Sequence, residues 1–179
     1  MDWKNSYLPA SVCGGTGFVQ VRDGGAIQES TRWRDAWAGE TDEIDARPKS
    51  WVELVVDEVH YGDLDGDGRE DAAIDVGCTN GGGMAGGQLA FASVILRDTA
   101  YGPTVLGIIE STQPDDAGKS HVPIMHVRSI GPAKVIVDEA WYGPHDGTCC
   151  ATGKVATEWD LRDGALKRGV SIVKKPVHE

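Results

Sequence analysis

Asp63, Asp65, Asp67 and Asp71 place four carboxylates at alternating offsets in the run Asp63-Leu64-Asp65-Gly66-Asp67-Gly68-Arg69-Glu70-Asp71. Hard divalent cations prefer oxygen ligands. A loop offering side chains at positions 1, 3, 5 and 9 and a backbone carbonyl at position 7 can close around Ca²⁺. Here those positions are Asp63, Asp65, Asp67, Asp71 and the Arg69 carbonyl, and Gly68 stands at the sixth position, where the chain must turn sharply. The competing reading is an Asp/Gly-rich hairpin turn with no ion. Four like charges held together without a counter-ion repel one another, so the ligand logic favours Ca²⁺ as the cofactor.

Two departures narrow the loop type. An EF-hand carries a bidentate Glu at position 12, and this chain has Ile74 there. The flanks Val55 to Tyr61 and Ala72 to Gly77 are rich in β-branched residues and read as strands rather than helices. The arrangement is therefore strand, acidic loop, strand. Over this dozen residues it resembles the calcium loops of FG-GAP and VCBS-type β domains, a resemblance that implies an ion and no particular activity.

Cys13, Cys78, Cys149 and Cys150 are an even set without C-x-x-C spacing, which argues for disulfides over a zinc finger. Three pairings are open. Adjacent cysteines have Cα atoms about 3.8 Å apart, below the usual disulfide range of about 4.4–6.8 Å. On that ground Cys13 and Cys78 are each expected to bridge to one member of the Cys149-Cys150 pair. Neither a redox-active pair nor a metal site of His145 with Cys149 and Cys150 is favoured, since no neighbouring Lys or Arg lowers a thiol pKa and no second ligand cluster is present.

Catalytic patterns are sparse. There is no G-x-S-x-G elbow and no H-E-x-x-H helix, and the five histidines are scattered. Asp57 and Glu58 with Asp138 and Glu139 are the one candidate acid pair for glycoside chemistry, and surface carboxylates are its simpler reading. The glycine run Gly81 to Gly87 lacks the Lys-Ser/Thr ending of a phosphate loop. No catalytic residue is assigned. Among six tryptophans, Trp33, Trp37 and Trp141 with Tyr142 are possible ligand-binding positions, because flat aromatic faces stack on sugar rings; partial burial in a core is the commoner use of Trp.

The elements that must position these groups read as mainly β. Strands are expected from Phe18 to a turn at Asp23-Gly24-Gly25, then over Trp51 to Tyr61, from the acidic loop to Cys78, and over Gln88 to Arg97. Further strands are expected over Thr104 to Glu110, Val122 to Ile130, Ala133 to Tyr142 and Lys154 to Leu161, each bounded by Gly, Pro, Asp or Asn. Such short-connected strands form an antiparallel meander closing as a sandwich or barrel, with at most one or two short helices. Alternation puts Val135, Val137 and Glu139 on one face and Ile136, Asp138 and Ala140 on the other. Residues 1–179 are read as one secreted β domain, with 29–50 an irregular or helical insertion.

The formal net charge of -11 argues against nucleic acid as a partner. No apolar run approaches the roughly 20 residues of a membrane-spanning helix. Met1 to Asn5 shows no apolar signal segment, so export is expected to depend on a leader outside this sequence.

The order of landmarks resembles actinobacterial exported proteins and lipoproteins of the LppP/LprE type. The pieces that carry it are Trp3, Cys13, Asp23-Gly24, Gly62 to Ala72, Gly77-Cys78 with Gly81-Gly82, and Cys149-Cys150-Ala151-Thr152-Gly153 before Glu158-Trp159. Asp65 departs from the pattern, which often has Thr there. The resemblance implies export and a β fold. Together these readings give the expectation of a secreted or cell-surface, calcium-binding, disulfide-stapled β domain. It would act as a non-catalytic binding module for a protein or a cell-envelope polymer. The alternative is a calcium-supported hydrolase acting on polysaccharide or peptide.

Overall fold

Every strand pairing is antiparallel in the computed structural model, which describes residues 2–32, 51–80, 88–113, 122–143, 145–147 and 150–174. The strands are β1 (Tyr7–Pro9), β2 (Phe18–Gln20), β3 (Gly25–Glu29), β4 (Trp51–Gly62), β5 (Asp71–Thr79) and β6 (Gln88–Arg97). They continue as β7 (Thr104–Glu110), β8 (Ile124–Gly131), β9 (Lys134–Trp141), β10 (Gly153–Arg162) and β11 (Ala165–Lys174). Two short 3-10 turns, Trp3–Asn5 and Ala10–Cys13, are the only helical elements among the described residues.

The strands form three layers. A five-stranded sheet in the order β3-β4-β5-β6-β7 lies in the middle. On one side sits the N-terminal arm with its small β1-β2 sheet, burying Trp3, Leu8, Val12 and Val21 against Leu54, Ile74, Val76 and Val94. On the other sits a four-stranded sheet, β11-β10-β9-β8, whose Met125, Val127, Val135 and Val137 pack against Ala73, Ile95 and Ile109. This is a sandwich built from two meanders, as the turn-punctuated strand pattern implies. Alternation on β9 holds as read: Val135, Val137 and Glu139 are buried on the inner face.

β5 is covered on both faces, so its first eight residues are all buried. That explains why Ala72 to Gly77 reads as a continuous apolar run rather than an alternating one. Leu54 and Val56 of β4 point toward the arm. Between Val56 and Val59 the register slips by one residue, so that three positions on β4 span two on β5. This bulge reverses the alternation, and Val59 now packs toward the arm while Glu58 and His60 turn toward the four-stranded sheet.

Three strands go beyond the sequence expectation. β1 is only three residues long, and β3 follows directly on the turn where the Phe18 strand was expected to end. β11 carries Lys167-Arg168-Gly169, which hides any apolar periodicity. Its partner is fixed instead by the Asp163-Gly164 turn, whose φ values of 54° and 73° suit a tight hairpin. Trp33, Trp37, the body of the 29–50 insertion and the Gly81–Gly87 loop lie outside the described residues.

The disulfide expectation is corrected. Cys13 bonds Cys78, with Cα atoms 5.5 Å apart, so neither is left to bridge to Cys149 or Cys150. Alternation along β5 places Cys78 on the arm-facing side with Ile74 and Val76, in the same apolar cluster as Cys13. Cys150 is also disulfide-bonded, and because Cys13 and Cys78 hold each other, neither is its partner. Cys149 lies outside the described residues. A non-reducing digest is therefore expected to link the Cys13 and Cys78 peptides to each other. The double variant Cys13→Ala/Cys78→Ala, followed by denaturant unfolding, is expected to lose about 2–4 kcal/mol.

Candidate metal centre

The acidic loop, residues 63–70, joins β4 to β5 at one end of the sandwich. Three contacts fix it there. Leu64 buries its side chain in the core between the two large sheets, its carbonyl accepts the Ala133 amide of the β8–β9 turn at 2.8 Å, and its own amide donates to Asp71 Oδ2 at 2.8 Å. Just before the loop, Gly62 lies so close to β8 that a Cβ there would meet the Ile130 carbonyl oxygen at 2.3 Å. No other residue fits that approach.

Asp63 organises the loop from inside. Its Oδ1 accepts the amides of Gly66 (2.7 Å) and Asp67 (3.1 Å), and its Oδ2 accepts that of Gly68 (3.0 Å). Gly66 and Gly68 adopt φ values of 78° and 83°, a conformation glycine takes without steric cost. Asp65 Oδ1 accepts the Asp67 amide at 3.2 Å. Asp71, 1% exposed, accepts Leu64 on one oxygen and the Asp98 amide, 2.9 Å away, on the other.

Within this frame Asp63, Asp65 and Asp71 each bring one carboxylate oxygen within 4.8 Å of the others. Asp67 is not in that group. Its carboxylate takes the Arg69 guanidinium on Oδ2 and the Arg69 amide on Oδ1. Arg69, expected to supply only a carbonyl, also reaches the Asp98 carbonyl with its side chain at 3.3 Å. A second guanidinium, that of Arg97, stands 3.7 Å from Asp65 Oδ2. The sequence pattern located the carboxylates; it gave no sign that two arginines would share them.

The residues fit a hard divalent cation. The donors are carboxylate oxygens, and each of the three carboxylates retains at least one lone pair beyond the amide hydrogen bonds it accepts. The loop is folded by its own hydrogen bonds, so a cation would meet an arranged site. The cluster can chelate a divalent cation.

Other sequence candidates are dispersed. Asp138, on the outer face of β9, pairs with Arg128. Glu139, on the inner face, accepts Ser111 Oγ, the Thr112 amide and hydroxyl, and Thr157 Oγ1 at 2.7–3.1 Å. Asp57 and Glu58 instead face His126 and His60. Trp141, the last residue of β9, lies against Gly153, where a Cβ would meet its ring at 2.1 Å; its indole packs on β10. Tyr142 follows it, half-buried. No protein-family model, curated protein or solved structure matches the chain.

Asp71 has a structural duty apart from any ion, and Asp65 has little. In chelator, Asp71→Ala is expected to cost about 1–3 kcal/mol for the buried amide it orphans, whereas Asp65→Asn should unfold close to the parent. Urea unfolding of the two variants measures the difference.

Proposed function

We propose that this chain is an exported, disulfide-stabilised β domain that binds one structural Ca²⁺ in the Asp63–Asp71 loop and works as a binding module rather than a catalyst. The observation that carries the reading is the convergence of the Asp63, Asp65 and Asp71 oxygens within 4.8 Å. Asp67 joins them when it exchanges Arg69 for the ion, and the Arg69 carbonyl completes the protein ligands. Clustered carboxylates favour Ca²⁺ over Mg²⁺, which gives up its waters reluctantly.

Export is supported by the oxidised state of Cys13, Cys78 and Cys150, since disulfides persist in oxidising compartments. The landmark order supports placing the chain with the LppP/LprE type of exported proteins. A non-catalytic role is supported by the dispersal of the acid pair, with Asp138 and Glu139 committed on opposite faces of β9. The partner is a protein or a cell-envelope polymer.

The ion binds only the folded state, so it adds about 2.7 kcal/mol of stability at a hundredfold excess over its Kd. Calorimetric titration of chelator-stripped protein is expected to show one Ca²⁺ per chain, with a melting temperature several degrees higher in calcium. Asp67→Ala should lower both affinity and melting temperature. Absence of calcium heat, with melting indifferent to chelator, would refute the reading.

A further inference from the structure

The bulge in β4 gathers a second group of titratable side chains away from the acidic loop, in the seam where β8 crosses the central sheet. Asp75, in the middle of β5, is 3% exposed. Its Oδ1 accepts Ser93 Oγ from the directly paired position on β6 at 2.5 Å, and its Oδ2 accepts the Val127 amide of β8 at 2.9 Å. The reversed alternation brings His60 alongside, with Nε2 3.4 Å from Asp75 Oδ2 and 3.8 Å from Glu58 Oε2. That nitrogen is buried and makes no hydrogen bond. An imidazole nitrogen placed within ion-pair distance of two carboxylates and hydrogen-bonded to neither is an unusual use of a buried polar atom.

We propose that this seam is a site for a transition-metal ion of the zinc class, with His60 Nε2, Asp75 Oδ2 and Glu58 as its protein ligands. The inference is independent of the calcium reading, because it shares no residue with the loop. Zinc bonds to nitrogen and oxygen of about 2.0–2.1 Å at tetrahedral angles put neighbouring ligand atoms about 3.3 Å apart. The His60–Asp75 separation of 3.4 Å already matches that edge. Glu58, 3.8 Å from His60 Nε2 and 65% exposed, stands off from Asp75 and closes on the ion by a side-chain rotation. A water takes the fourth position.

The surroundings are those a ligating carboxylate needs. The Ser93 hydroxyl and Val127 amide orient Asp75, as outer hydrogen bonds orient first ligands in metal sites. The imidazole selects against Ca²⁺, which takes oxygen, and toward zinc-class ions. Asp57 and His126, 4.0 Å apart on the rim of the same bulge, are both exposed; they add negative potential at the entrance and no ligand.

The test is calorimetry of the chelator-stripped full chain with Zn²⁺, run with calcium in excess to occupy the loop. One Zn²⁺ per chain is expected, and Co²⁺ in its place should give the visible absorption of a tetrahedral ion. Glu58→Gln, at an exposed position that leaves folding intact, should weaken binding, as should His60→Gln. Ser93→Ala should cost on the order of ten- to a hundredfold. Asp63→Asn should remove calcium heat and leave zinc heat, and His126→Ala should leave zinc heat. No zinc binding under these conditions overturns the proposal. So does zinc binding that survives both Glu58→Gln and His60→Gln unchanged.

Discussion

A strand buried on both faces governs this structure. β5 lies between the N-terminal arm and the four-stranded sheet, and every polar group it carries must find its partner inside the protein. Two of its residues are carboxylates on one face, Asp71 and Asp75. Each is satisfied by amides or hydroxyls from neighbouring elements: Leu64 and Asp98 for the first, Ser93 and Val127 for the second. The Asp75–Val127 bond does more than satisfy a charge. β8 is the edge of its sheet, so its outward amides have no strand to pair with, and Asp75 supplies an acceptor from the opposite layer.

The same strand explains how the acidic loop is placed. Asp71 opens β5 and closes the loop, so its position is set by the core rather than by the other carboxylates. Leu64 sinks into the same core and ties the loop to the β8–β9 turn. The loop is thereby attached to both large sheets at one end of the sandwich, and the close passage of Gly62 over Ile130 is the geometric condition for that attachment. A cation bound between Asp63 and Asp71 would join the hydrogen-bonded loop to the buried strand β5, which is how an ion in a surface loop can stabilise the whole fold.

Much of this was legible in the sequence where the signal is local. Alternation marked β9, glycine and proline punctuation marked most strand ends, and the i, i+2 spacing of carboxylates marked the loop. What escaped was set at long range. Whether Cys78 meets Cys13 depends on which layer its face of β5 contacts, and no local pattern states that. β11 escaped because an edge strand with Lys167 and Arg168 has no need of apolar alternation. The bulge escaped because Asp57-Glu58 reads as ordinary strand, yet it decides that His60 faces Asp75. The engagement of Asp67 by Arg69 escaped because the pattern counts carboxylates and takes no account of the cation beside them.

That last point bears on how the loop's carboxylates divide the work. Asp67 is engaged by Arg69, and Asp65 has Arg97 beside it, whereas Asp63 and Asp71 meet no side-chain cation among the described residues. The chain is strongly acidic, so two internal guanidiniums at this spot relieve repulsion that would otherwise open the loop. A divalent cation bound as proposed would therefore have to do two different things. At Asp63 and Asp71 it adds to oxygens already aimed by backbone amides, at little reorganisation cost. At Asp65 and Asp67 it must replace an arginine, trading one cation for another of higher charge density and shorter reach. In the proposed calcium site the first pair would anchor the ion and the second would tune its affinity, a division imposed by the arginines.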